Sequence, residues 1–177
     1  MDDRLRSLWD FDDLDLSSER LHAQLDVEDS DAGRAEVMTQ IARVAGLRGD
    51  FEQGDVWIDN AKRLAAGSDV TLARIDLERG RLRRSSGDRE AALPHFESAF
   101  TVAVAAGQQF IAADAAHMAA LAATDRDAFV AWTQRGVELA EANEGARYWI
   151  GPLLNNLGWE YFEAGELDLA LVAFERT

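Results

Sequence analysis

The chain has 177 residues, of which 47% are hydrophobic and 29% charged, the balance of a folded chain rather than a disordered one. Asp and Glu total 33 against 18 Lys and Arg, and the net charge of -15 argues against general nucleic-acid binding and against an anionic membrane face. There is no cysteine, which excludes disulfides, thiolate catalysis and Cys-based metal sites.

Prolines number 2, so long stretches are open to helix. Ten helices are predicted, near 3–10, 14–26, 32–47, 51–65, 70–85, 88–106, 109–123, 126–142, 147–163 and 167–177. Gly49 and Gly87 stand where a helix ends in a left-handed residue, and Asp50 and Asp88 stand where the next needs an N-cap. Pro94 falls inside its helix and predicts a kink there or a late start. Pro152 follows Gly151 and is expected to open a helix as its first residue. The stretch 142–146 is the loosest connection. The start Met1-Asp2-Asp3-Arg4-Leu5-Arg6 lacks the basic flank and apolar core of a signal peptide, and no uncharged apolar run reaches the roughly 18 residues of a bilayer span. Lys62 is the only lysine; with the abundance of alanine this suggests a high-GC coding bias, and the expectation is a cytoplasmic bacterial protein.

The helices repeat in pairs. Gly49-Asp50, Gly87-Asp88 and Gly165-Glu166 mark similar turns, each followed by an alanine-rich apolar stretch. Aligned on them, a small residue of the first helix falls at Ala42, Gly80, Ala116 and Gly158. A small residue of the second falls at Ser17, Gly54, Ala92, Ala128 and Ala170, with spacings of 37, 38, 36 and 42. Four places later stands a large apolar residue: Leu21, Ile58, Phe96, Trp132 and Phe174. Small columns let two helices approach closely. One hairpin cannot cover both its apolar stripes, whereas a stack of hairpins can.

The stretch Asn156-Leu157-Gly158-Trp159-Glu160-Tyr161-Phe162-Glu163-Ala164-Gly165-Glu166-Leu167-Asp168-Leu169-Ala170-Leu171 resembles a tetratricopeptide repeat. The match is the Leu-Gly pair, the aromatic three places on, the Gly-Glu turn, and the Ala followed by an aromatic. Gly80, Gly87-Asp88, Ala92, Phe96 and Ala99 give a second match. The resemblance implies an all-α, right-handed α-solenoid of stacked antiparallel hairpins over 1–177. It has about five units, near 3–26, 34–65, 72–106, 109–142 and 147–177, the first degenerate. The periods exceed the family's ~34 residues.

Catalytic signatures are nearly absent. There is no phosphate-binding Gly-rich loop and no Gly-x-Ser-x-Gly elbow. His22, His95 and His117 lie in different units without metal spacing. Asp10, Asp12, Asp13 and Asp15 lack the Gly and terminal Glu of a calcium loop, and read as a solvated turn before a helix. No cofactor and no catalytic residue is expected.

The resemblance turns the first helix of each unit toward a concave face, with Arg43, Arg81, His117 and Trp159 in one inward column and Thr39, Leu77, Ala113 and Asn155 in a second. Arg74, Arg84, Phe110, Ala120 and Phe162 are further inward candidates. Helical geometry alone brings Arg74, Arg81 and Arg84 close to one face, and residues 74–89 carry six arginines (74, 79, 81, 83, 84, 89), a local reversal of charge. Two readings stay open. The arginines hold an acidic partner segment, with Phe110 and Trp159 as apolar contacts, or they pair internally with Glu36, Glu78 and Asp114, and Arg79 and Arg83 with Asp76. The expected function is a non-catalytic protein- or peptide-binding scaffold. The alternative is a regulatory sensor solenoid that binds a small peptide or ligand and signals to a partner protein. The partner-binding candidates are Arg43, Arg74, Arg81, Arg84, Phe110, His117, Asn155 and Trp159, with a protein or acidic peptide as partner. A face carrying Leu169, Val172 and Phe174 is expected to be partly open, covered by a second copy in a homodimer or by further chain.

Overall fold

The computed structural model describes residues 3–65 and 67–177 and is all-α, with no strand among them. After a single 3₁₀ turn at Arg6–Leu8 come α1 (Leu14–Val27), α2 (Asp31–Leu47), α3 (Phe51–Leu64), α4 (Asp69–Ser85) and α5 (Arg89–Ala105). Then follow α6 (Gln109–Ala122), α7 (Arg126–Ala142), a 3₁₀ stretch at Glu144–Trp149, α8 (Ile150–Glu163) and α9 (Leu167–Glu175).

Local chemistry sets the ends. The side chains of Asp13, Ser30, Asp50, Ser68, Asp88 and Asp125 each accept the backbone N–H three residues on, so six of the helices start at a capped residue. At the ends of α2 and α4, Gly49 and Gly87 adopt φ of 80° and 96°. The next N–H then reaches back five residues, from Asp50 to Ala45 O and from Asp88 to Arg83 O, at 2.9 Å in both. The same return bond recurs at Gln108 to Ala103 O (2.8 Å) and Glu166 to Tyr161 O (2.9 Å).

Two expectations fail locally, and of the two outcomes expected at Pro94 the late start does not occur. Residues 3–10 do not form a helix. So short a helix is marginal unless packing holds it, and here the side chains of the segment anchor it to distant elements instead. The Asp10 carboxylate then accepts from the N–H of Asp12 and Asp13 (3.1 and 3.2 Å) and turns the chain toward α1. Pro94 does not delay α5, which starts at Arg89 directly after the Asp88 cap. Pro94 is exposed, and the carbonyl that loses its helical donor belongs to exposed Glu90, which water can serve. Pro152 is the third residue of α8, not the first; it still lies in the first turn, where no N–H is needed.

Packing follows the small and large columns. A Cβ on Gly80 would stand 2.5 Å from the Phe96 ring, and one on Gly158 would meet the Phe174 ring as closely. Between pairs, Gly54 of α3 admits Leu82 of α4, and Gly136 of α7 admits Leu153 of α8. Leu21, Ile58 and Phe96 are fully buried. In α7 the register departs from the alignment: Ala128 and Trp132 are only half-buried, while Thr133, Gly136, Val137 and Ala140 face inward. Trp132 instead meets Phe100 of α5 edge-on, ring centroids 5.4 Å apart. The 42-residue spacing is taken up by the 3₁₀ stretch Glu144–Trp149, whose Ala146 and Trp149 are buried. Each helix packs on its successor, and α2 also touches α4, and α4 also touches α6. Among the described residues no helix is long and apolar enough to cross a membrane.

Candidate functional site

Helices α2, α4 and α6 present side chains at one repeating spacing. Glu36, Gln40 and Arg43 of α2 correspond to Arg74, Glu78 and Arg81 of α4, and to Phe110, Asp114 and His117 of α6. Steps of four and three residues put each trio on one helix face.

The charges on this face neutralise one another. Arg74, 5% exposed, donates from Nε to Glu36 at 3.0 Å and from both terminal nitrogens to the Asp3 carboxylate. Arg81 donates to Glu78 of its own helix and to Asp114 of α6, two carboxylates that are themselves 1% and 5% exposed. Burial alone would weaken the charge of Arg81; Asp114 and Glu78 outweigh it and push its pKa above the ordinary arginine range. The same contest at Arg74 ends the same way, through Asp3 and Glu36. Arg74 and Arg81 thus pair with carboxylates of the same chain, as the internal-pairing reading expects of these two residues.

Arg43 differs. Among the described residues no carboxylate lies within ion-pair distance of it. Its guanidinium lies 5.1 Å from the Trp9 ring centroid and 5.3 Å from that of Phe11, and burial together with neighbouring Arg81 pushes its pKa down. His117 is kept neutral chiefly by burial. Its Nε2 pairs with Asn156 Nδ2 of α8 at 2.9 Å. Among the described residues, Nδ1 has no hydrogen-bond partner, nor have Glu78 Oε2 and Trp149 Nε1 nearby on the same face.

The remaining candidates lie elsewhere. Arg84 and Arg89 both donate to Leu121 O (3.3 and 2.7 Å), so they serve the last carbonyls of α6, where positive charge suits a helix C-terminus. Asn155 is exposed, and it is Asn156 that joins the face. Trp159 is 53% exposed and stands apart against Phe162 and Phe174, both edge-on at 5.6 Å. Arg79 and Arg83 pair with Asp59 and Asp55, not with Asp76, which binds His95 and Ser98. Phe110 is central, stacked with Tyr148 at 6.1 Å and near Trp149 at 5.7 Å.

What the sequence reading missed is the segment lying on this face. Asp3 sits in the fork of Arg74. Arg4 reaches Glu28 (2.7 Å) and Glu36 (3.2 Å). Leu5, 1% exposed, enters the core beside Leu21, Val37, Ile41 and Val44. Arg6 lies 3.8 Å from the Tyr148 ring centroid. Trp9 donates from its indole to Gln40 at 3.1 Å and stacks on Phe11 at 4.9 Å. Beside the segment, a cavity of about 500 Å³ opens between Asp3, Arg74, Gln108, Gln109, Phe110 and Asn143. The 36/74/110 spacing could have found Gln40; nothing local to residues 3–11 marks their destination.

No protein-family model matches the chain, and no curated protein matches it.

Proposed function

We propose that the chain is a tetratricopeptide-type α-solenoid, a non-catalytic protein- or peptide-binding scaffold whose binding face is formed by α2, α4 and α6 with the stretch before α8. The single observation that carries this reading is the segment Asp3–Phe11. It crosses several helices of that face and is held almost wholly by side chains: a bidentate carboxylate, a buried leucine, a cation over an aromatic ring and an indole donor. A face that holds one peptide this way has the chemistry to hold another. The recurring return bonds and the Gly80–Phe96 and Gly158–Phe174 contacts support the repeat reading, because they place the same residue types at the same joints. The partner is a protein or peptide carrying a carboxylate and apolar side chains. The solenoid is bacterial and cytoplasmic in this reading.

A photo-crosslinker on a single cysteine tests the site, since the chain has none of its own. Gln109→Cys borders the cavity, and Thr101→Cys is exposed on the neighbouring helix α5. A partner crosslinked from Gln109 and not from Thr101, then bound about tenfold more weakly by Phe110→Ala once purified, supports the reading. Equal crosslinking from both positions sinks it. The α8–α9 face, where Leu169 and Val172 are about half exposed, is the proposed surface for a second copy.

A further inference from the structure

The segment Asp3–Phe11 is bound to the face in the manner of a ligand and tethered in the manner of a flap. Its backbone hydrogen bonds are local: Arg6 N–H to Asp3 O (3.0 Å), Leu8 N–H to Leu5 O (3.1 Å) and Trp9 N–H to Arg6 O (3.1 Å). Nothing in its backbone is tied to α2, α4 or α6 in the way that a strand is tied to a sheet. Its hold is the set of side-chain anchors: the Asp3 fork, Arg4 on Glu28 and Glu36, Leu5, Arg6 on Tyr148, and Trp9 on Gln40.

Its last residues, Asp10 and Phe11, begin the tether. The N–H of Asp10 donates to Ser17 Oγ, the Ser17 hydroxyl donates to Asp10 O, both at 2.7 Å, and Asp13 caps α1. Phe11, Asp12 and Asp13 are exposed. The segment can therefore swing away about residues 10–13 while α1 keeps its cap and its packing on α2. Departure would bare a definite set of partners: the Arg74 fork, the Val37–Ile41–Val44 floor, the Tyr148 and Phe110 rings, and Gln40.

We propose that residues 3–11 are an intramolecular occupant of the binding face, and that an external partner segment of the same chemistry competes with them for it. That segment carries a carboxylate, a leucine two residues on, an arginine directly after it, and a tryptophan three residues later. The proposal rests on the reading of this face as peptide-binding and adds to it a gate and a partner class. Complementarity decides the order of the side chains, since Arg74 requires an anion while the faces of Tyr148 and Phe110 prefer a cation. A docked gate lowers the apparent affinity for the external segment by the fraction of time the face is open.

The test uses the full chain and an acetylated, fluorescein-labelled peptide of residues 3–11 as the external probe. Binding is read by anisotropy for the natural chain and for Asp3→Ala/Arg6→Ala, whose own segment is loosened. The double variant is expected to bind the peptide about tenfold or more tightly than the natural chain. Adding Tyr148→Ala, at a half-exposed residue, is expected to weaken that binding with helical circular dichroism intact. An environment-sensitive dye on Ser7→Cys, an exposed position within the segment, should report release of the segment as the peptide binds. Equal affinity for both proteins overturns the proposal. So does binding that leaves the Ser7 dye unchanged, although the peptide-binding face then stands. No binding to either protein, with helical circular dichroism intact in both, overturns it as well. Release of the dye on raising protein concentration alone, with a dimeric mass, would assign the face to a second copy and overturn it too. If the double variant loses its helical signal, Arg6→Ala alone replaces it, with an expected gain of about threefold from the lost cation–ring contact.

Discussion

The α2–α4–α6 face and the α8–α9 end solve the burial problem in opposite ways. On the α2–α4–α6 face, Arg74, Glu78 and Asp114 are almost wholly buried and ion-paired: Arg74 lies between Asp3 and Glu36, and Arg81 between Glu78 and Asp114. On α8 and α9, Trp159, Phe162, Leu167, Leu169, Leu171 and Val172 are about half exposed. The first region is specified by pairing, because each buried charge tolerates only a partner of opposite sign. The second is unspecific by itself, because apolar surface accepts any apolar cover. The comparison sets specific charge pairing in the first region against open apolar surface in the second.

The sharpest way to break the comparison is to remove a cation from the first region. Arg81→Ala leaves Glu78 and Asp114 buried without it and is expected to cost about 3–5 kcal/mol in denaturant unfolding. Arg126→Ala, which loses surface pairs to Glu160 and Glu166 and a contact over the Tyr161 ring, is expected to leave the midpoint nearly unchanged. Equal midpoints for the two variants would mean that the buried network is not holding the fold.

Overpacking comes next. Gly80→Leu and Gly158→Leu should each destabilise by about 1–3 kcal/mol or more, because the new side chain meets the Phe96 or Phe174 ring. Gly151→Ala has nothing within 4 Å of its new methyl and lies in the first turn of α8, so its thermal midpoint should hold or rise slightly. A fall at Gly151 as large as at Gly80 would refute the packing.

Acid gives a gentler perturbation. Burial opposes ionisation of Asp3, yet the hydrogen bond and charge of Arg74 prevail and hold its carboxyl below the ordinary 3.8. A carboxyl lowered in the folded state contributes fully above its ordinary value and stops contributing as pH falls through the lowered one. A dye on Ser7→Cys should therefore show the segment docked from neutral pH down to about pH 4 and released below it. Asp3→Asn should flatten that transition; an unaltered transition would show that another group governs it. The smallest expected effect on stability is at the far end. Leu169→Asp with Val172→Asp should barely move the unfolding midpoint, since both side chains are already about half in water. If a second copy covers that face, the same pair should lower the sedimentation coefficient.

Asp50, Asp88, Gly49 and Gly87 made the helix ends legible, since a cap or a left-handed glycine acts on its own few residues. The Gly80 and Gly158 columns were legible for a similar reason: the large residue each needs stands a fixed distance along the chain. Column spacing also brought Arg43, Arg81 and His117 to equivalent places on successive helices. It failed at Asn155, where Asn156 is the inward residue, and at Trp132, where Thr133 is buried instead. Asn155 lies just beyond the irregular stretch Glu144–Trp149, which takes up the extra length of the 42-residue spacing; Trp132 lies before it and instead meets Phe100 of α5.

The sequence by itself determined which stretches are helical, where most of them stop, and that small and large side chains alternate at their joints. These follow from interactions within a few residues or one turn. Only the tertiary structure decided which carboxylate answers which arginine, and that residues 3–11 lie across α2, α4 and α6 rather than forming a helix. The Asp3–Arg74 pair joins positions 71 residues apart. Its partners are fixed by how the helices stack, and several carboxylates of an acidic chain would have satisfied the same arginine until that stacking chose one.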